Sequence, residues 1–158
     1  MRLWHTDLID VLPRKQLISQ WREILYLKKV LIEKDSYNHV LVDVVMTFPL
    51  SDFKIYTDMV TAEIIRRGYK IDLGKYIDVM KWDGNNSFVC GDIEDMSNFS
   101  KPGNFSNSYA IFITWHNSAY LRQCLANLKE KYDRGSVMDN EWKVIDDKFH
   151  DIIKEMRI

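Results

Sequence analysis

The residue types that could do chemistry crowd into the first 23 positions, MRLWHTDLIDVLPRKQLISQWRE. Arg2, Trp4, His5, Arg14, Lys15, Gln16, Arg22 and Glu23 all fall there. On a 3.6-residue period, Gln16, Gln20 and Glu23 share one side of a helix, flanked by Ser19 and Arg22. Glu23 borders an apolar stripe that holds Trp21 and Ile24. A carboxylate at such an edge is partly withdrawn from water, which raises its proton affinity and suits it to acid–base work. The same Glu paired with a nearby Arg would simply close a helix–helix contact, and the residues alone leave both readings open. Arginines in this block could clamp phosphate oxygens, and aromatic rings could stack on a base.

Charge points to the same end of the chain. The 158 residues carry a net charge of −1, and the pI of about 6.4 is lower than a dedicated DNA-binding domain usually has. Residues 1–34 nonetheless hold seven Lys/Arg against four Asp/Glu, so any anion-facing surface should involve this segment. Several classes drop out on motif grounds. The sequence contains no GxxxxGK[ST] or GxGxxG loop, no HExxH and no GxSxG elbow. The histidines His5, His39, His116 and His150 and the cysteines Cys90 and Cys124 show no metal-ligand spacing. No metal or cofactor is therefore expected. Both cysteines read as reduced thiols. No secretory signal or membrane-length apolar run is present, which gives a cytoplasmic expectation with no membrane partner.

The elements that must position these residues are mostly helical, in one domain spanning 1–158. Pro13 suits a helix start, and Leu17, Trp21, Ile24, Leu25, Val30 and Leu31 make the helix to about Lys34 amphipathic. Residues 35–38 break it. The run VLVDVVMTF (40–48) reads equally as a strand or a buried helix. Ser51 and Asp52 look like caps for a helix ending near Arg67, closed by Gly68. A short helix or turn covers 72–81. Residues 83–108, rich in Gly, Asn and Ser, read as a long loop. Asn117 or Ser118 opens a helix to about Asp133, closed by Gly135. A last helix from Asp139 carries the stripe Trp142, Ile145, Phe149, Ile152 and Met156.

The stretch LPRKQLISQWREI resembles the first helix of the pyrimidine-dimer DNA glycosylase family of phages and bacteria. Gln16-Leu17 and Trp21-Arg22-Glu23 stand at its motif positions. The opening MRLWH resembles the bacterial and prophage branch. Arg66-Arg67-Gly68-Tyr69 resembles the family's helix end, and Trp115-His116-Asn117, Tyr120-Leu121-Arg122-Gln123-Cys124 and Leu128-Lys129-Glu130-Lys131-Tyr132-Asp133 resemble the same branch's third-helix region, all in collinear order. The resemblance implies a compact all-α fold with the N-terminal segment threaded between helices. It also implies a mechanism in which the terminal α-amine attacks C1′ of a damaged nucleotide, a Schiff base forms, and β-elimination cuts the strand. Because Arg2 follows Met1, and a long side chain there normally blocks removal of the initiator, the implied amine is that of Met1. Glu23 would support the step and Arg22 would contact phosphate. The expected partner is damaged double-stranded DNA, met by Arg2, Trp4, His5, Arg14, Gln16, Arg22, Trp115 and His116. The acidic balance and the aromatic–cationic mixture support an alternative: a non-catalytic phage or prophage protein of this fold that sequesters a nucleotide ligand.

Overall fold

The computed structural model describes residues 2–33, 40–84 and 110–157. Met1, Cys90, His39, the 35–38 break and most of the 83–108 loop lie outside the described residues. After an extended segment, residues 2–5, comes a 3-10 helix, Thr6–Val11, followed, among the described residues, by six α-helices. They are α1 (Arg14–Glu33), α2 (Val40–Met46), α3 (Leu50–Arg66), α4 (Leu73–Lys81), α5 (Ser118–Asp133) and α6 (Asp139–Met156). No strand occurs among the described residues, so the all-α expectation holds.

Periodicity accounts for the main helices. In α1 the positions Leu17, Trp21, Ile24, Leu27 and Val30 are buried, three and four residues apart. In α2 the buried set Leu41, Val42 and Val45 has helical spacing, so the β-branched run resolves as a helix that stops before Pro49. Helix α3 is the centre of the fold. It packs against α1, α4 and the 3-10 helix through Phe53, Tyr56, Val60 and Ile64. Helices α5 and α6 pair, and α6 also meets the 3-10 helix. Both α3 and α5 end where expected. Gly68 (φ +76) donates to the Ile65 carbonyl and Tyr69 to that of Ile64; Gly135 (φ +71) and Ser136 repeat the pattern on Tyr132 and Lys131. This double closure needs a left-handed residue, which glycine supplies without a Cβ clash.

Two expectations need correction. Ser51 and Asp52 do not cap α3: Pro49 occupies the cap position with no side-chain bond. The Asp52 carboxylate instead accepts the Phe112 N–H at 2.9 Å, in a turn where Phe112 has φ +52 and no helical partner. The α6 stripe also shifts. The backbone leaves helical geometry at Phe149 (φ −119, ψ 24), and Ile153 rather than Ile152 becomes the buried residue beyond it.

Arg67 ties the amino-terminal third to α3. Its guanidinium donates to the carbonyls of Leu12 (2.6 Å) and Asp10 (2.8 Å), at the C-terminal end of the 3-10 helix. It also bonds the buried Glu63 carboxylate, which Arg66 engages from outside. A cation there meets the orphan carbonyls of a helix end, and its planar fork reaches several acceptors at once. Arg67→Lys should therefore lower stability by about 2 kcal/mol, since one ammonium cannot span these groups. Denaturant unfolding measured alongside Arg66→Lys, whose partner bonds are at the surface, checks this; the Arg66 variant should lose under about 1 kcal/mol.

Candidate active site

Among the described residues the extended segment has no strand beside it, yet Leu3, Trp4 and His5 are buried. Buried backbone groups need partners, and here side chains from three helices and a loop supply them. Glu23 on α1 accepts the Arg2 N–H at 3.0 Å. Gln20, one turn earlier, accepts the Trp4 N–H at 2.8 Å. Tyr56 on α3 donates to the Trp4 carbonyl at 2.7 Å and lies 3.1 Å from the Gln20 oxygen. Tyr120 on α5 donates to the Leu3 carbonyl at 2.5 Å. His116 Nδ1 accepts the Thr6 N–H at 3.2 Å, and His5 Nδ1 accepts that of Asp7 at 3.1 Å.

Burial first, then the nearby Tyr120, Cys124 and Glu23, holds the Tyr56 hydroxyl well above its usual range. Burial likewise pushes up Tyr120 and the Cys124 thiol. All three stay protonated at neutral pH, so both tyrosines remain donors. The aromatic rings form one cluster: His116 stacks on Tyr120 (5.3 Å, 29°) and on His5 (5.2 Å, 23°), while Trp115 bridges His116 and Phe48. Arg2 lies 5.0 Å over the Trp4 ring.

The sequence-read residues thus separate. Arg2, Glu23, Trp115 and His116 are half-buried and, with Trp4 and His5, belong to this assembly. Arg22 is exposed and, among the described residues, its side chain makes no hydrogen bond or ion pair. Arg14 is exposed with its guanidinium 5.1 Å over Tyr69, and its backbone N–H is held by Glu141, away from the cluster. Gln16 is buried in α1 with its side-chain oxygen unpartnered among the described residues. Sequence reading missed Tyr56 and Tyr120 as partners of the segment. It grouped Gln20 with Glu23 by periodicity, and that one signal did point to the right face.

Residues 1–76, just under half of the chain, match the family described as pyrimidine dimer DNA glycosylase. The match supports the family resemblance carried by the opening block and a DNA glycosylase-like function. No curated protein and no solved structure matches the chain.

The His116 environment has a measurable consequence. Its acceptor role at Nδ1 puts the proton on Nε2, an atom that is buried without a partner among the described residues. Burial, reinforced by His5, pushes its pKa down to about 3. The unfolded chain therefore takes up this proton first as pH falls. The stability contributed by a neutral His116 is complete above about pH 6.5 and is lost progressively toward pH 3, by at most about 1.4 kcal/mol per pH unit. His116→Asn, whose oxygen can still accept the Thr6 N–H, should flatten the fall in unfolding free energy between pH 6.5 and 4 relative to the parent. An unchanged slope would contradict the assignment.

Proposed function

Since residues 1–76 carry the pyrimidine dimer DNA glycosylase match, we propose that the protein is a DNA glycosylase with AP-lyase activity, acting on damaged duplex DNA through the Met1 α-amine and Glu23. The observation that carries this reading is the bond from the Arg2 amide to Glu23 Oε2. That amide is the one joined directly to Met1, so the carboxylate is fixed one residue from the nucleophile.

The chemistry follows from the amine. An α-amine has a reference pKa near 8, so a useful fraction is neutral at pH 7, unlike a lysine. The neutral nitrogen attacks C1′, the C1′–base bond breaks, and the base leaves with the electron pair and takes up a proton. Opening of the sugar ring gives an imine to C1′. Removal of a C2′ proton then expels the 3′ phosphate oxygen. Glu23 serves these transfers, supplying a proton to the sugar oxygen and accepting one from carbon. Exposed Arg22 contacts backbone phosphate, with Arg2 and Arg14 as further cationic anchors. Trp4, His5 and Gln16 are buried, the first two within the segment itself. Trp115 and His116, half-buried at the loop before α5, face the nucleotide as it leaves the stack.

Borohydride trapping on an abasic duplex tests the reading, with intact mass and fragmentation locating the adduct. The expected result is a covalent adduct on Met1. Glu23→Gln keeps an acceptor for the Arg2 N–H but removes the charge, so the fold should persist while the lyase rate falls about 10²–10⁴-fold. Absence of any adduct with the intact parent protein, where a known lyase traps, would sink the proposal. The net charge of −1 and the His5–His116–Tyr120 stack favour a second reading, sequestration of a nucleotide. A thermal-shift screen with mononucleotides and cyclic dinucleotides separates the two; no shift, alongside duplex binding, eliminates it.

A further inference from the structure

Three of the first four peptide units of the chain are bonded by side chains. The unit joining residues 1 and 2 gives its N–H to Glu23. The unit joining 3 and 4 is held at both ends, its carbonyl by Tyr120 and its N–H by Gln20. The unit joining 4 and 5 has its carbonyl on Tyr56. Three of these partners, Glu23, Gln20 and Tyr56, lie within the family-matched residues 1–76. Tyr120 lies beyond them, on α5, and reaches back 117 positions to Leu3.

Tyr120 is also the partner best placed to act on the terminus. Its carbonyl acceptor is the nearest one to residue 1 that a side chain holds among the described residues. Its hydroxyl lies within electrostatic reach of both Arg2 and Glu23, and its ring is fixed by His116 on one face and Trp115 at an angle. Without Tyr120, the unit joining 3 and 4 would be held by Gln20 alone and could turn about that bond. The bond to the Leu3 carbonyl removes that rotation. Orientation of a nucleophile to within a fraction of an ångström controls its rate.

We infer that Tyr120 is a positioning residue for the reactive end of the chain: its hydroxyl on the Leu3 carbonyl fixes the path of the segment that carries the amine, with the Arg2 N–H on Glu23. The inference rests on the amine chemistry proposed above and adds a residue from the second half of the chain to it. The hydroxyl acts on the backbone of the segment and does not touch substrate.

Tyr120→Phe is the test, because the ring and its stacking remain and only the hydroxyl goes. Ile153→Val on α6 serves as a control of modest destabilisation away from the site. In single-turnover trapping on an abasic duplex, Tyr120→Phe should slow adduct formation at least tenfold. Duplex Kd by anisotropy should stay within twofold, and Ile153→Val should trap at the parent rate. A second readout needs no DNA. Reductive methylation with ¹³C-formaldehyde labels the α-amine, which titrates near 8 and is thereby separated from lysines near 10.4. Its resonance in the folded parent should differ from that in urea, respond to Glu23→Gln, and move toward the urea value in Tyr120→Phe. An unchanged trapping rate, or an unchanged α-amine resonance, in Tyr120→Phe would overturn the inference. If the parent forms no adduct at all, the lyase reading fails, and the resonance alone decides whether Tyr120 positions the amine.

Discussion

The Arg2 amide and the Glu23 carboxylate meet at 3.0 Å, and the rest of the site depends on keeping that bond. An extended segment with no neighbouring strand has nothing regular to satisfy its backbone. Left in water it would fray, as chain ends do. Burying it among α1, α3 and α5 makes every unpartnered N–H and carbonyl costly, about 1–3 kcal/mol each. Glutamate, glutamine and two tyrosines discharge that cost, and in doing so they fix the segment's path. The same carboxylate that completes the backbone bonding is the one to which the proposed function assigns the acid–base work.

The scaffold behind that bond is an arrangement of α3 against its neighbours. Tyr56, in the middle of α3, serves the segment directly, while Arg67 at its end clamps the 3-10 helix that follows the segment. The two contacts are 11 residues apart on one helix, so α3 holds the segment and the helix after it at two levels. Asp52, near the start of α3, reaches the opposite way and steadies the turn at Phe112 that carries Trp115 and His116. Helix α3 thus couples the terminus to the aromatic loop. Each of these bonds engages a backbone group, which is why they transmit position rather than mere proximity.

Electrostatically the site is arranged around few charges. His116 is held neutral, with a pKa of about 3, and Tyr56, Tyr120 and Cys124 are held protonated by burial. Glu23 and Arg2 are then the charged groups at the start of the segment. Low local polarity strengthens each remaining interaction.

Local sequence was enough for the helices and the chemical type of the site. The apolar spacing of α1 and α5, the asparagine opening α5 and the glycines closing α3 and α5 act within a few residues, where helical geometry makes the pattern readable. The block containing Arg22 and Glu23 announced itself by residue type, and periodicity set Gln20 beside Glu23. The run 40–46 stayed ambiguous, because short apolar β-branched stretches satisfy both periods until neighbours are known. What only the tertiary structure decided are the bonds between distant positions. They include Tyr120 to Leu3, Tyr56 to Trp4, His116 to Thr6, Asp52 to Phe112 and Arg67 to the end of the 3-10 helix. No local pattern encodes a hydroxyl's choice of a carbonyl 117 residues away. That choice is made by the packing of α1, α3 and α5 around an extended segment that pairs with no strand among the described residues.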